Sequence, residues 1–438
     1  CGIDDKQGVA ALALNVVDGG GAGGATMPDE LLAYVDMPDS AASELQGQLC
    51  GDLCGVYARW EGHTRRLDGV TVDVPMFASR ENEMTHVTGG LRTMVRFMAC
   101  PRLFKFFRVS GLKRYFDKAQ GLSVDLFFVF NRRIDSFVRS VGANSIRLGC
   151  VPVANVFSRH SDRTECNGAF EHHISADRAA PQNIEVLDVR KVEAFDARNQ
   201  VLFAATPGFE GDGSNRFVLH RRARLFEPGR SRSSYHGMEA YVSLSGADYD
   251  AHHDDIRQIG AELLCSNRDL PLLLRKEDHV QVPSGEPLTS ASFVEQPSEP
   301  KPPLLGGGAA TDWEKLGIVS INLSSILWRD GMVSVDIVRR MVRTCAFDGE
   351  GVAARLAEAI VELKSSPRTF RFVSNGSPYF ESGWRVDLTL KEDLCSGTGV
   401  FIFARMLKEL FFSYVPINTC IEFVVNTDKR KEGFRWVD

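Results

Sequence analysis

The 438-residue chain has no apolar run approaching the roughly 18 residues that a membrane-spanning helix needs. It also lacks the succession of basic, apolar and small residues that marks a signal peptide. Positive charge is not in excess: the formal net charge of −6 leaves no electrostatic footprint for a nucleic-acid scaffold. The basic runs His220–Arg224 (HRRAR) and Lys429–Lys431 (KRK) are isolated, as solvated faces are. Paired cysteines are missing too. The ten cysteines (1, 50, 54, 100, 150, 166, 265, 345, 395 and 420) are scattered, several inside apolar runs, as reduced buried thiols are. Cys50 and Cys54 form the one close pair, expected on a single helix, and without a second pair they make no compact zinc set. A phosphate loop, a nucleophile elbow and a convergent acid–base pair are absent or incomplete. No catalytic residue, metal or cofactor is therefore expected.

What is present is the composition of an ordinary soluble globular protein, 44% hydrophobic and 25% charged, long enough for two or three cores. The chain begins at Cys1 rather than Met. A mature lipoprotein also begins with cysteine, but Gly8–Val17 already reads as a strand entering a folded domain, so a partial chain is expected. Strands are predicted at Val9–Val17 and Leu31–Val35. A helix is predicted over Ser40–Trp60 from Leu45, Leu49, Leu53 and Val56, with Ser40 or Ser43 as its cap.

Gly89–Phe107 mixes arginines with Met and Phe. A single-stranded nucleic-acid surface can look like this, but the spacing favours an amphipathic helix and an edge segment. Strands are then expected at Leu122–Asn131, Ile184–Val192, Phe217–Phe226, Met238–Leu244 and Ile259–Cys265. A turn is expected at Gly211–Asn215, and Ser145–Phe157 reads as a strand kinked or ended at Pro152. Cys150 has no histidine in its local text, which favours a buried small residue over a nucleophile. His160, Cys166, His172 and His173 fit no compact zinc pattern. His252–Asp255 reads as a polar loop or helix start. Val282–Gly308, rich in Pro, Ser and Gly, is a linker or long loop. Beyond it, Asp312–Ser325 suggests a helix start, Val335–Met341 and Val352–Leu363 are amphipathic helices, and Phe370–Phe372 begins a strand.

The chain's organising stretch is Trp384–Asn418. Trp384, Val386, Leu388 and Leu390 alternate as on a half-buried strand. Ser396–Gly399 (SGTG) breaks the pattern and offers capping oxygens, and Val400, Phe403, Leu407 and Leu410 follow at helical spacing until Pro416. A Gly-rich turn before a helix can cradle an anion. SGTG, however, matches neither G-x-x-x-x-G-K-[ST] nor G-x-G-x-x-G. A strand at Thr419–Val425 closes the unit.

This stretch resembles the C-terminal signature of the TssF (ImpG/VasA) family of type VI secretion baseplate proteins. Gly383, Val386, Leu388, Leu390, Gly397, Gly399, Val400, Phe401, Tyr414, Val415, Ile417 and Asn418 stand at the signature's places. Cys100, Pro101, Lys105, Phe106, Phe107, Gly111 and Leu112 are similar to a second family segment. Cys150, Pro152, Asn155 and Phe157 match a third. The run Cys265–Pro271 (CSNRDLP) matches the family's C-T-N-R-D-L-P almost residue for residue. The likeness runs in order from about Leu31 to Asn418.

Composition and spacing imply a β-rich, multidomain α+β fold with antiparallel or mixed sheets and flanking amphipathic helices, and the resemblance spans nearly all of it. Its segments would be an α+β domain over 1–110, a β-rich middle over 111–281, the linker 282–311 and a C-terminal α+β domain over 312–438. The chain would lack the family's N-terminal region. The implied role is a structural, non-enzymatic wedge subunit that helps trigger sheath contraction. Implied partners are TssG, a second TssF copy, TssK, TssE and the spike and hub proteins, with no nucleic acid and no direct membrane insertion. The implied location is the cytoplasm, docked at the inner-membrane secretion complex. Family-motif or interface candidates are Cys150, Pro152, Asn155, Phe157, Asn267, Arg268, Asp269, Leu270, Pro271, Gly397, Gly399, Phe401, Tyr414 and Asn418. Two rivals remain: a metal-dependent enzyme using loop 158–173, and a single-strand binder using Arg92–Arg108.

Overall fold

The structure is a computed structural model. It describes the chain apart from residues 1–9, 18–27, 61, 79–88, 117–122, 134–139, 167, 209–213, 226–231, 283–284, 286–287, 289, 305–311, 314, 318–330, 333, 348–350, 375–376, 416–418, 430–432 and 438. The chain forms two compact units, Cys1–Val151 with Trp313–Asp438, and Pro152–Asp312.

The first unit opens with two four-stranded antiparallel sheets. Their strands are Ala10–Val17 (β1), Glu30–Val35 (β2), Leu53–Trp60 (β3), His63–Arg66 (β4), Thr71–Asp73 (β5), Phe106–Ser110 (β6), Ser123–Phe130 (β7) and Ile146–Leu148 (β8). The orders are β1-β7-β3-β4 and β5-β6-β2-β8. Alternation in β7 sends Val124, Leu126, Phe128 and Phe130 into a core shared with Val35, Phe107 and helix α1, Asp39–Gly51. The helix is shorter than the sequence spacing implied. It ends at Gly51, where Asp52 N–H bonds Gln48 C=O, and Leu53–Trp60 pairs with β7. Val56 and Ala58, two apart, enter the core as strand residues. Cys50 and Cys54 thus stand on different elements. Pro38 precedes the helix and no side chain caps it; Ser43 Oγ donates instead to Ser40 C=O at 2.9 Å. Three further helices follow: Pro75–Ala78 (α2), Gly89–Ala99 (α3) and Lys113–Phe116 (α4).

In the second unit, eight strands form one sheet: Phe157–His160 (β9), Thr164–Glu165 (β10), His172–Ile174 (β11), Glu185–Phe195 (β12), Val201–Pro207 (β13), Asn215–Ala223 (β14), Met238–Gly246 (β15) and Gln258–Ser266 (β16). The order is β10-β16-β12-β13-β14-β15-β11, with β9 also on β16. Its terminal strands come together: Thr164 Oγ1 donates to His173 C=O at 2.8 Å. Val189, Val192, Phe203, Phe217, Val242, Leu263 and Cys265 fill its core. Helix α5, Ala247–His252, ends in a turn through Asp255. A small ladder joins His279–Val280 (β17) and Ala291–Ser292 (β18). The turn expected at Gly211–Asn215 falls largely outside the described residues.

The first unit resumes with helices Val335–Thr344 (α6) and Val352–Ala359 (α7). A five-stranded sheet follows, from Gly331–Met332 (β19), Ile360–Ser374 (β20), Ser377–Leu390 (β21), Cys420–Thr427 (β22) and Phe434–Val437 (β23), in that order. α7 stops at Ala359, short of the Leu363 that its sequence pattern implied, because Ile360 already pairs with Leu390 of β21. The helix expected over Asp312–Ser325 lies mostly outside the described residues. β21 and β22 run parallel, and helix α8, Val400–Phe412, makes the crossover. Phe403, Leu407, Leu410 and Phe411 of α8 share one core with Val386, Leu388, Phe423 and, from α3, Met94 and Phe97. Long-range pairing sets the limits of this unit: β7, beyond residue 110, lies between β1 and β3, and α3 packs on α8.

The α3–α8 approach is so close that a Cβ on Gly90 would strike Leu410 Cα and Glu409 C=O. Gly90→Ala is expected to destabilise the chain by about 1–3 kcal/mol through overpacking, despite alanine's helix preference. Gly142→Ala, where a Cβ meets nothing within 4 Å, should change little. Denaturation midpoints of the two variants check this.

Candidate functional site

The CSNRDLP run leaves β16 as a buried turn. Arg268 has φ +53, a left-handed conformation costing a non-glycine residue on the order of 1 kcal/mol. Its guanidinium holds it there. Nη2 donates to Tyr235 C=O and His236 C=O, both at 2.8 Å, and Nη1 donates to Gln182 C=O at 3.3 Å. Asp269, 4% exposed, accepts from Ser233 Oγ at 2.8 Å and from Arg232 Nη2 at 3.1 Å. Leu270 N–H closes the turn on Asn267 C=O, and Leu270 and Pro271 begin a 3-10 turn to Leu273.

The network reaches a third segment. Glu185, at the start of β12, is buried and accepts from Tyr235 O–H at 3.0 Å and Met238 N–H at 2.8 Å. Gly237, φ +74, keeps the gap open: a Cβ there would stand 3.2 Å from both Arg268 Nε and Glu185 Oε2. Burial, then Glu185, pushes the Tyr235 phenol well above its ordinary range. The arrangement thus ties the end of β16, the segment before β12 and the β14–β15 connection with charge-assisted bonds. Arg268 and Asp269 point inward, and the chemistry open to them is to hold this turn.

Two motifs distant in sequence meet here. Phe157 on β9 pairs with Cys265 on β16, and Asn155 Oδ1 accepts from Asn267 N–H at 3.3 Å. The expected strand over Ser145–Phe157 is only β8, ending at Leu148; residues 149–156, with exposed Pro152, have no regular structure. Gly149 takes φ +70, and a proline follows too soon for a ladder to continue. Cys150 is half-buried, and burial raises its thiol above the ordinary range, so it is not an activated nucleophile.

In the C-terminal motif, Gly397 and Gly399 take φ +89 and +81. The expected side-chain cap from Ser396 or Thr398 is not made; Gly399 is the N-cap, and the N–H groups of Thr398 and Gly399 bond Cys395 C=O to close the turn before the helix. Ser43 of α1 packs against Gly399, where a Cβ would stand 2.5 Å from Ser43 Cβ. Phe401 meets Phe434 edge-on, with ring centres 5.3 Å apart. Tyr414 is half-buried beside the core, its phenol raised first by burial and then by Cys345. Asn418 lies outside the described residues.

The residues of the two rival readings are largely buried or drawn apart in the fold. Cys166 Sγ and His172 Nε2 stand 4.0 Å apart, but burial pushes the thiol up to about 11 and lowers the imidazole, so both are neutral near pH 7. His173 faces the other way, against Tyr241, and His160 is exposed on β9. Among the described residues, no three His, Cys, Asp or Glu side chains converge as a metal set. In the Arg92–Arg108 stretch, Phe97, Phe104, Phe106 and Phe107 are buried, so their rings present no face for stacking bases. Arg108 pairs with Asp73 at 2.9 Å. None of the nine described cysteines forms a disulfide.

Sequence reasoning missed Glu185, Ser233 and Arg232, whose partners lie dozens of residues away. It also missed Glu422, fully buried in β22 and ringed by Arg368, by Arg385 Nη1 at 3.9 Å and by Arg435 Nη2 at 2.6 Å. A lone acid inside TCIEFVV was the available signal.

Asp269 supplies a pH test. Burial opposes its charge, but the Ser233 bond and the Arg232 and Arg268 charges outweigh that, and the carboxyl titrates below its usual range. Its contribution is therefore present above the unfolded pKa of about 3.9 and lost as pH falls through the lower folded value. Asp269→Asn should cost about 1.5–3 kcal/mol at pH 7, and the gap to the parent should narrow below about pH 4. Urea denaturation across pH measures it.

Comparison with known proteins follows the same sequence span. A family model described as "Type VI secretion system, TssF" matches residues 3–438. The type VI secretion system component TssF1 of Pseudomonas aeruginosa is 27% identical over 427 residues, covering 93% of this chain and 68% of that protein. A solved TssK-TssF-TssG baseplate subcomplex contains a chain similar at TM-score 0.66 and 17% identity, over 94% of this chain and 74% of that one. A baseplate complex from the type VI secretion system gives TM-score 0.51 at 14% identity, over 91% and 67%. At these identities the two structures speak for the fold alone. The family match covers nearly every residue, and the chain belongs to the type VI secretion system TssF family.

Proposed function

We propose that this chain is a structural subunit of the type VI secretion baseplate, working by assembly and rearrangement rather than by catalysis. The observation that carries the reading is the family match over residues 3–438. The interior agrees with it. The motif residues Arg268, Asp269, Gly399 and Phe401 hold turns and helix contacts, as a load-transmitting scaffold requires. No helix of the described residues is long and apolar enough to cross a membrane.

In this reading the chain forms a wedge with a TssG-type protein and a second copy of itself. The relative's solved subcomplex with TssK and TssG supports the choice of neighbours. TssK-type, TssE-type, spike and hub proteins are the further contacts, and the wedge sits in the cytoplasm, docked at the inner-membrane complex. Rearrangement of wedges would release the sheath to contract, a rigid-body change at interfaces.

Co-expression with the TssG-type and TssK-type proteins of the same source tests this. A stable complex holding two copies of this chain per TssG-type protein, by light scattering, is the expected result. A folded chain that elutes alone in their presence would sink the reading.

A further inference from the structure

The eight-stranded sheet of the second unit closes through its two shortest strands. β10 pairs with β16 over Thr164 and Glu165, and β11 pairs with β15 over His172, His173 and Ile174. Few bonds cross the seam between them. Asp162 N–H donates to Ser175 C=O at 3.0 Å, Thr164 Oγ1 donates to His173 C=O at 2.8 Å, and Arg178 N–H donates to the Asp162 carboxylate at 2.7 Å. Short strands held by few bonds open before the core of a domain does.

One side chain in this seam cannot be charged without cost. His172 is 6% exposed and shares the face of β11 that carries Ile174 into the core; beside it on β15 stands Val242, also buried. Its Nε2 meets Cys166 Sγ at 4.0 Å. Burial pushes that thiol up to about 11, so it supplies no anion. From the turn after α5, His253 faces the imidazole as a like charge. Tyr249 meets His253 edge-on at 5.4 Å. Asp254 engages His253 at 3.4 Å, and Asp250 acts on Tyr249. Among the described residues no carboxylate pairs with His172. A neutral imidazole fits this place. An imidazolium meets burial and a like charge, with no counter-ion.

We propose that the β10–β11 seam is an acid-operated latch, closed while His172 is neutral and opened by its protonation while the rest of the sheet stays paired. Burial first, and His253 second, lower the imidazole below its ordinary range. The contribution of His172 to closure is therefore fully present above about pH 6.5 and is lost as pH falls toward the lower value of the closed state. Release of β11 uncovers the edge of β15 at Ala240–Val242, a row of backbone groups that another strand can pair. The inference concerns the second unit alone and does not rest on the proposed function above.

Hydrogen exchange of the full chain, corrected for the intrinsic pH dependence of amide exchange, tests it together with an NMR titration of isotope-labelled histidine rings. Opening at 162–166 and 172–175 should rise between about pH 7.5 and about pH 5.5, toward the roughly tenfold limit for one imidazole protonated only when exposed. Amides of β12 and β14 should keep their protection. His172→Gln, neutral throughout, should abolish the acid response, and His253→Gln should diminish it. A His172 ring that titrates at its ordinary value in the closed chain would overturn the proposal. So would an acid response that survives His172→Gln, or seam amides that open only together with β12. Should His172→Gln not fold, the ring titration of the parent decides.

Discussion

The first unit depends on how closely α1 and α3 can approach α8. Ser43, Gly47 and Gly51 recur every four residues on α1, giving that helix one small-residue face. Against it stand Gly399, Phe401 and Phe434: Ser43 meets Gly399, Gly47 meets Phe401 at the distance of ordinary contact, and Gly51 leaves room for the Phe434 ring. Gly90 does the same for α3 at the backbone of Leu410. A short crossover helix is thus gripped from two sides, while its apolar residues cover β21 and β22. The N-terminal and C-terminal parts of the chain become one folded unit through these contacts.

The second unit uses a different device. Its sheet core is aliphatic and conventional, but the end of β16 is held by ions and backbone carbonyls. Arg268 in a left-handed conformation is tolerable because several carbonyls fix its guanidinium, and Asp269 stays charged because hydroxyl and guanidinium partners replace water. Such a turn is rigid without being thick. That suits a motif whose neighbours, Asn155 and Phe157, arrive from an extended segment about 110 residues earlier in the chain, a spacing shown by the Asn155–Asn267 bond.

Strong periodicity made much of this legible. β7, α3, β12 and α8 stand within a few residues of where alternation or helical spacing puts them. The failures are physical. Leu53 and Val56 fit a helical stripe by spacing, but pairing with Phe130 and Phe128 of β7 overrode the local pattern. Ile360 left α7 for the same reason. The serine and threonine expected to cap α8 do not, because the N-cap position falls on Gly399, which takes φ +81 and carries no side chain. The CSNRDLP run stood out as text, but Glu185, Ser233 and Gly237 gain meaning only from register across β12, β15 and β16.

Native-state hydrogen exchange on the free chain tests the central claim most directly, that α1, α3 and α8 are one structural element. The account predicts that the slowest amides of the three helices open together, with a common free energy and a common response to denaturant. Amides of α1 that exchange through a separate, lower-energy opening while α8 stays closed would contradict it.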